Sequence, residues 1–122
     1  LMKYSLLIYV DPLRFGRLSR EEQNRVHAAC GQWHADILKH GHGVAAIGLQ
    51  PVATAKTVRS DGQRITVTDG PFAETREFLG GLECIDCSSY DIALAYARSF
   101  PGLAAGCSIE LRPEVPGGVC EA

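Results

Sequence analysis

"MKYSLLIYV", Met2 to Val10, decides the fold. Aromatic or aliphatic side chains fill nearly every position, so no alternation hands one face to water, and the run reads as a strand covered on both faces. Asp11 and Pro12, opening "DPLRFGRL", close it.

One cover follows directly. Ser19 as N-cap and Glu22 at the third helical position form a capping box, each side chain satisfying a backbone N–H that a first helical turn leaves unpaired. Val26, Cys30, Trp33 and Ile37 then recur at steps of four, three and four as one apolar stripe, and Gly41 supplies the stop. "SSYDIALAYARSF" reads as a second helix, capped by Ser88, with Asp91 near the positive end of the helix dipole. Its face is set by Ile92, Ala95, Tyr96 and Ser99, and Pro101 ends it.

Between the helices, "HGVAAIGLQPVATAKTVRS" carries a strand broken at Gly48 and Pro51, then an outward-running arm. Asp61 and Gly62 predict a tight hairpin turn, in which both central residues need positive φ. "QRITVTD" returns as a half-exposed strand, with Ile65 and Val67 alternating against Arg64, Thr66 and Thr68. "LECIDC" and "CSIELRP" add two more strands.

The order β, α, β, hairpin, β, α, β is a ferredoxin-like split βαβ plan with an inserted hairpin. It is an α+β fold: a four-stranded antiparallel sheet with two helices on one face. One domain spans 2–113, and the tail 114–122 lies loose or over a neighbour. The sheet face left open along Tyr4 to Tyr9 and Leu82 to Cys87 calls for a second copy, so a homodimer is expected.

The 122 residues, 46% hydrophobic and 21% charged, suit a single core. A net charge of -2 offers no basic field for phosphates, so direct nucleic-acid binding is not expected. No apolar run approaches the roughly 20 residues that span a bilayer, and the first residues lack a secretory pattern; a cytoplasmic protein off the membrane is expected. The five cysteines are an odd number, read as reduced thiols. Cys84 and Cys87 of "CIDC" sit in a strand, where a three-residue step sends them to opposite faces, so they read as packing rather than a metal or redox pair.

"VTDGPFAETREFLGG", Val67 to Gly81, is the stretch with the densest chemistry. "TDGPFAET" followed by "LGG" resembles the DGPF signature of the YCII-related proteins. "MKYSLLIY", "LQPVATAKTVR" and "SIELRP" resemble that family's corresponding segments, so the likeness runs from Met2 to Pro113. The resemblance implies a dimeric α+β barrel on a ferredoxin-like plan, in small bacterial proteins. It also implies either an enzyme acting on a small molecule in a cleft between the sheets, or a module associated with a sigma factor or another regulator. The wider group carries a His and Asp pair, with the His in an "RPxH"-like segment opening the first helix. This chain reads "SREEQNRVHAAC" there, so that His has no counterpart. Glu83 occupies a strand position where relatives tend to carry an aromatic or aliphatic residue.

Asp69 is the candidate catalytic acid or base: a carboxylate at a strand end, near a subunit cleft and partly shielded, is suited to proton transfer. Its other reading is that it accepts backbone N–H bonds and shapes the turn into Gly70 and Pro71. Candidate substrate-binding residues are Tyr9, Asp11, Gln50, Gly70, Phe72, Glu74 and Arg76, lining the mouth of one mostly apolar pocket. Phe72 is expected to plug the core or the dimer contact. Arg76 has the geometry to hold a carboxylate in two parallel bonds, with Glu74 orienting it. His27 and His34 are seven apart, about 10 Å along a helix axis, too far to share a metal directly; they read as residues flanking the apolar stripe. No metal and no organic cofactor is expected. The functional expectation is acid–base chemistry on a small molecule, with a ligand-sensing or regulator-binding module as the alternative.

Overall fold

The computed structural model describes residues 2–121. Among the described residues nine regular elements follow one another: β1 (Met2–Val10), α1 (Pro12–Gly16), α2 (Arg20–Lys39), β2 (Gly43–Gly48), β3 (Lys56–Ser60), β4 (Ile65–Asp69), β5 (Phe78–Cys87), α3 (Tyr90–Arg98) and β6 (Cys107–Pro113). Short 3-10 turns occupy Val52–Thr54 and Pro101–Ala105. The main sheet runs β2-β5-β1-β6, with every neighbouring pair antiparallel, and β3 and β4 form a separate two-stranded ribbon. This is the expected α+β, ferredoxin-like architecture with an inserted hairpin.

The register explains where the core sits. Leu6 lies opposite Glu83 on one side and Leu111 on the other, and Tyr4 opposite Ile85, so these side chains share the inner face. Tyr4, Leu6, Ile85 and Cys87 are buried there against Trp33 and Ile37 of α2 and Ala93 and Ala97 of α3, which places both helices on that face. Leu7 lies opposite Leu82 and Glu110 on the outer face, where Leu7, Tyr9 and Leu82 are only half-buried. Cys84 and Cys87 point to opposite faces as expected; Cys87 is buried, Cys84 is half-buried, and all five cysteines are free.

Helix α2 starts at the capping box read from the sequence: the Ser19 hydroxyl accepts from Glu22 N–H at 3.1 Å and the Glu22 carboxylate accepts from Ser19 N–H at 2.9 Å. A cap of this type stabilises a helix by about 1 kcal/mol. The apolar stripe of α2 is not buried along its whole length. Trp33 and Ile37 enter the core, whereas Val26 and Cys30 are half-buried and face a cleft.

Several local readings need correction. Asp11 and Pro12 do not merely close β1; Asp11 caps the extra short helix α1, accepting from Leu13 and Arg14 N–H. Helix α3 is capped by Ser89 rather than Ser88, and its buried line is Ala93 and Ala97, with Ala95 exposed. The hairpin loop spans 61–64: Gly62 alone takes positive φ, and the Asp61 carboxylate accepts from Gln63 and Arg64 N–H. Gly80 and Gly81 lie within β5, where a Cβ would strike the Val10 side chain at 2.7 Å and the Ile47 carbonyl at 2.9 Å, respectively. The tail past β6 turns back over the outer face. Glu114 accepts from the Ser5 hydroxyl at 2.8 Å, and Val115, Val119 and Cys120 help close a hollow of about 380 Å³ over Leu7 and Leu82. Among the described residues, no helix is long and apolar enough to cross a membrane.

Candidate functional site

A cleft of about 510 Å³ opens between α2 and the inner face of the sheet. Its size lies within the range of about 300–1,000 Å³ usual for small-molecule sites. Trp33 and Phe100 form an apolar wall, their rings edge to face at 4.9 Å, and Trp33 is fixed by an Nε1–H bond to the Tyr96 carbonyl at 3.0 Å. Phe15 of α1 closes another side, packed against the ring of His27. Cys30 and Cys107 also line the cleft, and burial pushes both thiols up, which favours their neutral form.

Within this apolar surface stands one ionisable pair. Glu83, on the inner face of β5, is 3% exposed, and its Oε1 lies 2.6 Å from Nδ1 of His34 on α2. Burial pushes the Glu83 carboxyl above the usual carboxylate range, while the hydrogen bond and charge of His34 pull it down. His34 is more open, its side chain 37% exposed. Among the described residues the protein engages only Nδ1 of its ring, so Nε2 is free to meet a ligand. A buried acid that orients a half-exposed imidazole is the arrangement that makes histidine a directed base. This pair links residues 49 apart in sequence.

The DGPF stretch lies elsewhere. With the hairpin it frames a second hollow of about 550 Å³, which Tyr9, Pro71 and Phe72 line together with Phe78 and Val58. Phe72 is 75% exposed, so it does not plug the core of its own chain. Asp69 ends β4 with its side chain 88% exposed, paired to Lys56 Nζ at 2.5 Å across the base of the hairpin. Gly70 takes φ +97° and donates its N–H to the Ala55 carbonyl at 2.8 Å. Asp11 and Arg76 do come together: Arg76 Nε lies 2.9 Å from Asp11 Oδ2. That guanidinium holds the Asp11 carboxyl below its usual range against the opposing effect of burial, with Arg14 and Leu13 N–H adding to the lowering. Gln50 and Glu74 are exposed. The candidate residues therefore divide between an ion pair at the start of α1, a hairpin base and a shallow apolar hollow.

The sequence reads His34 as a residue flanking the apolar stripe of α2 and marks Glu83 only as a departure from its relatives. The available signal was the acid itself: a glutamate inside the apolar strand "LECIDC" is costly to bury without a partner, so it demands one. Among the described residues no group of three or more His, Cys, Asp or Glu side chains is placed to hold a metal ion.

Comparison with known proteins finds a family match and a relative. Residues 2–113 match the model of the YCII-related domain. An uncharacterized protein of Rhizobium meliloti is 37% identical over 97 residues, covering 80% of this chain and 78% of the relative.

Proposed function

The chain belongs to the YCII-related domain family, and from that premise we propose that it is a small-molecule enzyme working by acid–base chemistry in the cleft beneath α2. The observation that carries this reading is the 2.6 Å contact between His34 and Glu83 at an otherwise apolar cleft. Glu83 accepts the Nδ1–H of His34, fixing the tautomer that leaves the Nε2 lone pair facing the cleft. When Nε2 takes a proton from substrate, the adjacent carboxylate offsets the new positive charge. A positioned base of this kind contributes about 10²–10⁴-fold to a rate. Asp69, paired with Lys56 in the open, is assigned the shaping of the hairpin base in this reading.

The experiment does not require knowing the substrate. A metabolite extract is incubated with the protein in heavy water, and compounds that gain deuterium are read by mass spectrometry. Wild type is expected to label a small set of compounds, His34→Gln to lose about 100-fold or more of that rate, and Asp69→Asn to keep it. Labelling that survives in His34→Gln but disappears in Asp69→Asn would move the chemistry to the DGPF stretch.

We also infer a homodimer, supported by the half-exposed Leu7, Tyr9 and Leu82 on the outer sheet face. Light scattering is expected to give twice the chain mass, and a monomer at all concentrations would remove this part of the proposal. A second role, as a ligand-sensing module for a sigma factor or another regulator, is favoured by the hairpin. Its Val58, Ile65 and Val67 are 62–75% exposed along one face, an apolar surface suited to a protein partner.

A further inference from the structure

Four glycines border the cleft beneath α2, and they are small for different reasons. Gly80 and Gly81 are dictated by packing, since any Cβ there would collide with Val10 or the Ile47 carbonyl. Gly31 and Gly48 are not: a Cβ built on either meets nothing within 4 Å. Gly31 lies inside the 20-residue helix α2, where glycine destabilises a helix relative to alanine because its backbone is freer in the unfolded chain. The folded chain itself thus has no use for the missing side chain. Gly31 precedes His34 by three positions, which sets both on one side of the helix. Gly48 stands on the facing strand, β2. The space they leave therefore belongs to the same cleft that His34 lines.

The charges around that space restrict what enters it. Among the described residues the lining includes no Lys or Arg, so a carboxylate or phosphate would find no fixed cation there and would face Glu83. A cation would find only a buried acid already engaged by His34. An uncharged molecule with an apolar body suits Trp33 and Phe100, and a weakly acidic proton suits Nε2.

Resting on the acid–base reading of this cleft, we propose that Gly31 and Gly48 hold open a slot for the flat apolar body of an uncharged weak acid, whose acidic proton is presented to Nε2 of His34. In the bound state the proton moves from the ligand's O–H or C–H bond to Nε2, the electron pair stays on the ligand, and Glu83 faces the resulting imidazolium.

Three probes of one body separate the possibilities: para-nitrophenol, an uncharged weak acid whose ionisation is visible; para-nitroanisole, without the acidic proton; and para-nitrobenzoate, with a fixed negative charge. Their affinities are measured by titration on wild type, His34→Gln, Gly31→Ala and Gly31→Leu, with thermal unfolding of each protein alone. para-Nitrophenol is expected to bind wild type with the absorption of its ionised form, and the other two probes at least tenfold more weakly. Gly31→Leu and His34→Gln are each expected to weaken para-nitrophenol at least tenfold. Gly31→Ala is expected to raise Tm by a few degrees, because α2 gains and no contact is lost. A fall in Tm would overturn the argument from Gly31. para-Nitrobenzoate binding as tightly as the phenol, and still depending on His34, would overturn the ligand class while leaving the cleft as the site. Binding indifferent to both His34 and Gly31, or no binding of any probe, would overturn the slot, and indifference to His34 would count against the catalytic reading as well.

Discussion

Trp33→Ala is expected to cost about 3–5 kcal/mol, the range for deleting a large buried aromatic side chain. Trp33 is 8% exposed, meets Phe100 edge to face, and donates its Nε1–H to the Tyr96 carbonyl. Truncation opens a void, loses the ring pair and removes one of the bonds to the Tyr96 carbonyl, which keeps those from Ser99, and the three effects act in the same direction. Domains of this size hold together by roughly 5–15 kcal/mol, so the variant should lose a large share of its stability. Trp33→Phe keeps most of the packing and loses one of the bonds to the Tyr96 carbonyl, which Ser99 continues to satisfy, for an expected cost of about 0.5–1.5 kcal/mol. Urea denaturation of the two variants beside wild type checks both values. A loss below about 1 kcal/mol for Trp33→Ala would mean that the ring is not locked between the helices as described.

The second large effect concerns Glu83 and pH. Burial raises its carboxyl above the ordinary value, more than His34 lowers it. Between the unfolded and folded values the native chain holds a proton that the unfolded chain has released, so stability falls as pH rises. The contribution of Glu83 is present in full below the ordinary glutamate value of 4.5 and is lost as pH climbs through the raised one. Glu83→Gln is expected to remove this slope, gaining on wild type as pH increases. His34→Ala takes away the group that pulls the carboxyl down, so its loss of stability should begin at the same ordinary glutamate value and continue to higher pH than in wild type. Urea melts across a pH series, taken as differences from wild type, isolate the effect. A Glu83→Gln profile parallel to wild type would show that the carboxyl is not held up by burial.

Much of the architecture was legible because short-range chemistry determines it. The Ser19–Glu22 box, the stripe through Trp33 and Ile37, and the double-sided character of Met2 to Val10 each act within a few residues. The order of these signals excludes most other topologies. The site was harder to read for the opposite reason. His34 and Glu83 meet only because Ala46, Glu83 and Leu6 share a rung of the sheet beneath α2, and no spacing in one dimension reports that meeting. Val26 and Cys30 looked identical to Trp33 and Ile37 as members of a stripe. What separates them is that α2 closes on the sheet at one end and stands off at the other. The DGPF stretch drew attention through its density of polar residues and turn formers, and Gly70 and the Asp69–Lys56 pair show how much of that density serves the hairpin's geometry.

The tail that folds back from β6 bears on assembly. Glu114 is tethered to Ser5, with Val115 and Val119 nearby, over the same outer face that a second copy would cover. Two objects cannot fill one volume, so association through that face is an exchange reaction: an occupant permanently attached to the chain must be displaced or built into the seam. Because its tether keeps that occupant at constant local abundance, it competes best when the chain is dilute and yields as the chain is concentrated. In the homodimer proposed above, the segment from Glu114 to Cys120 would thereby set a threshold for pairing through its own grip on the sheet.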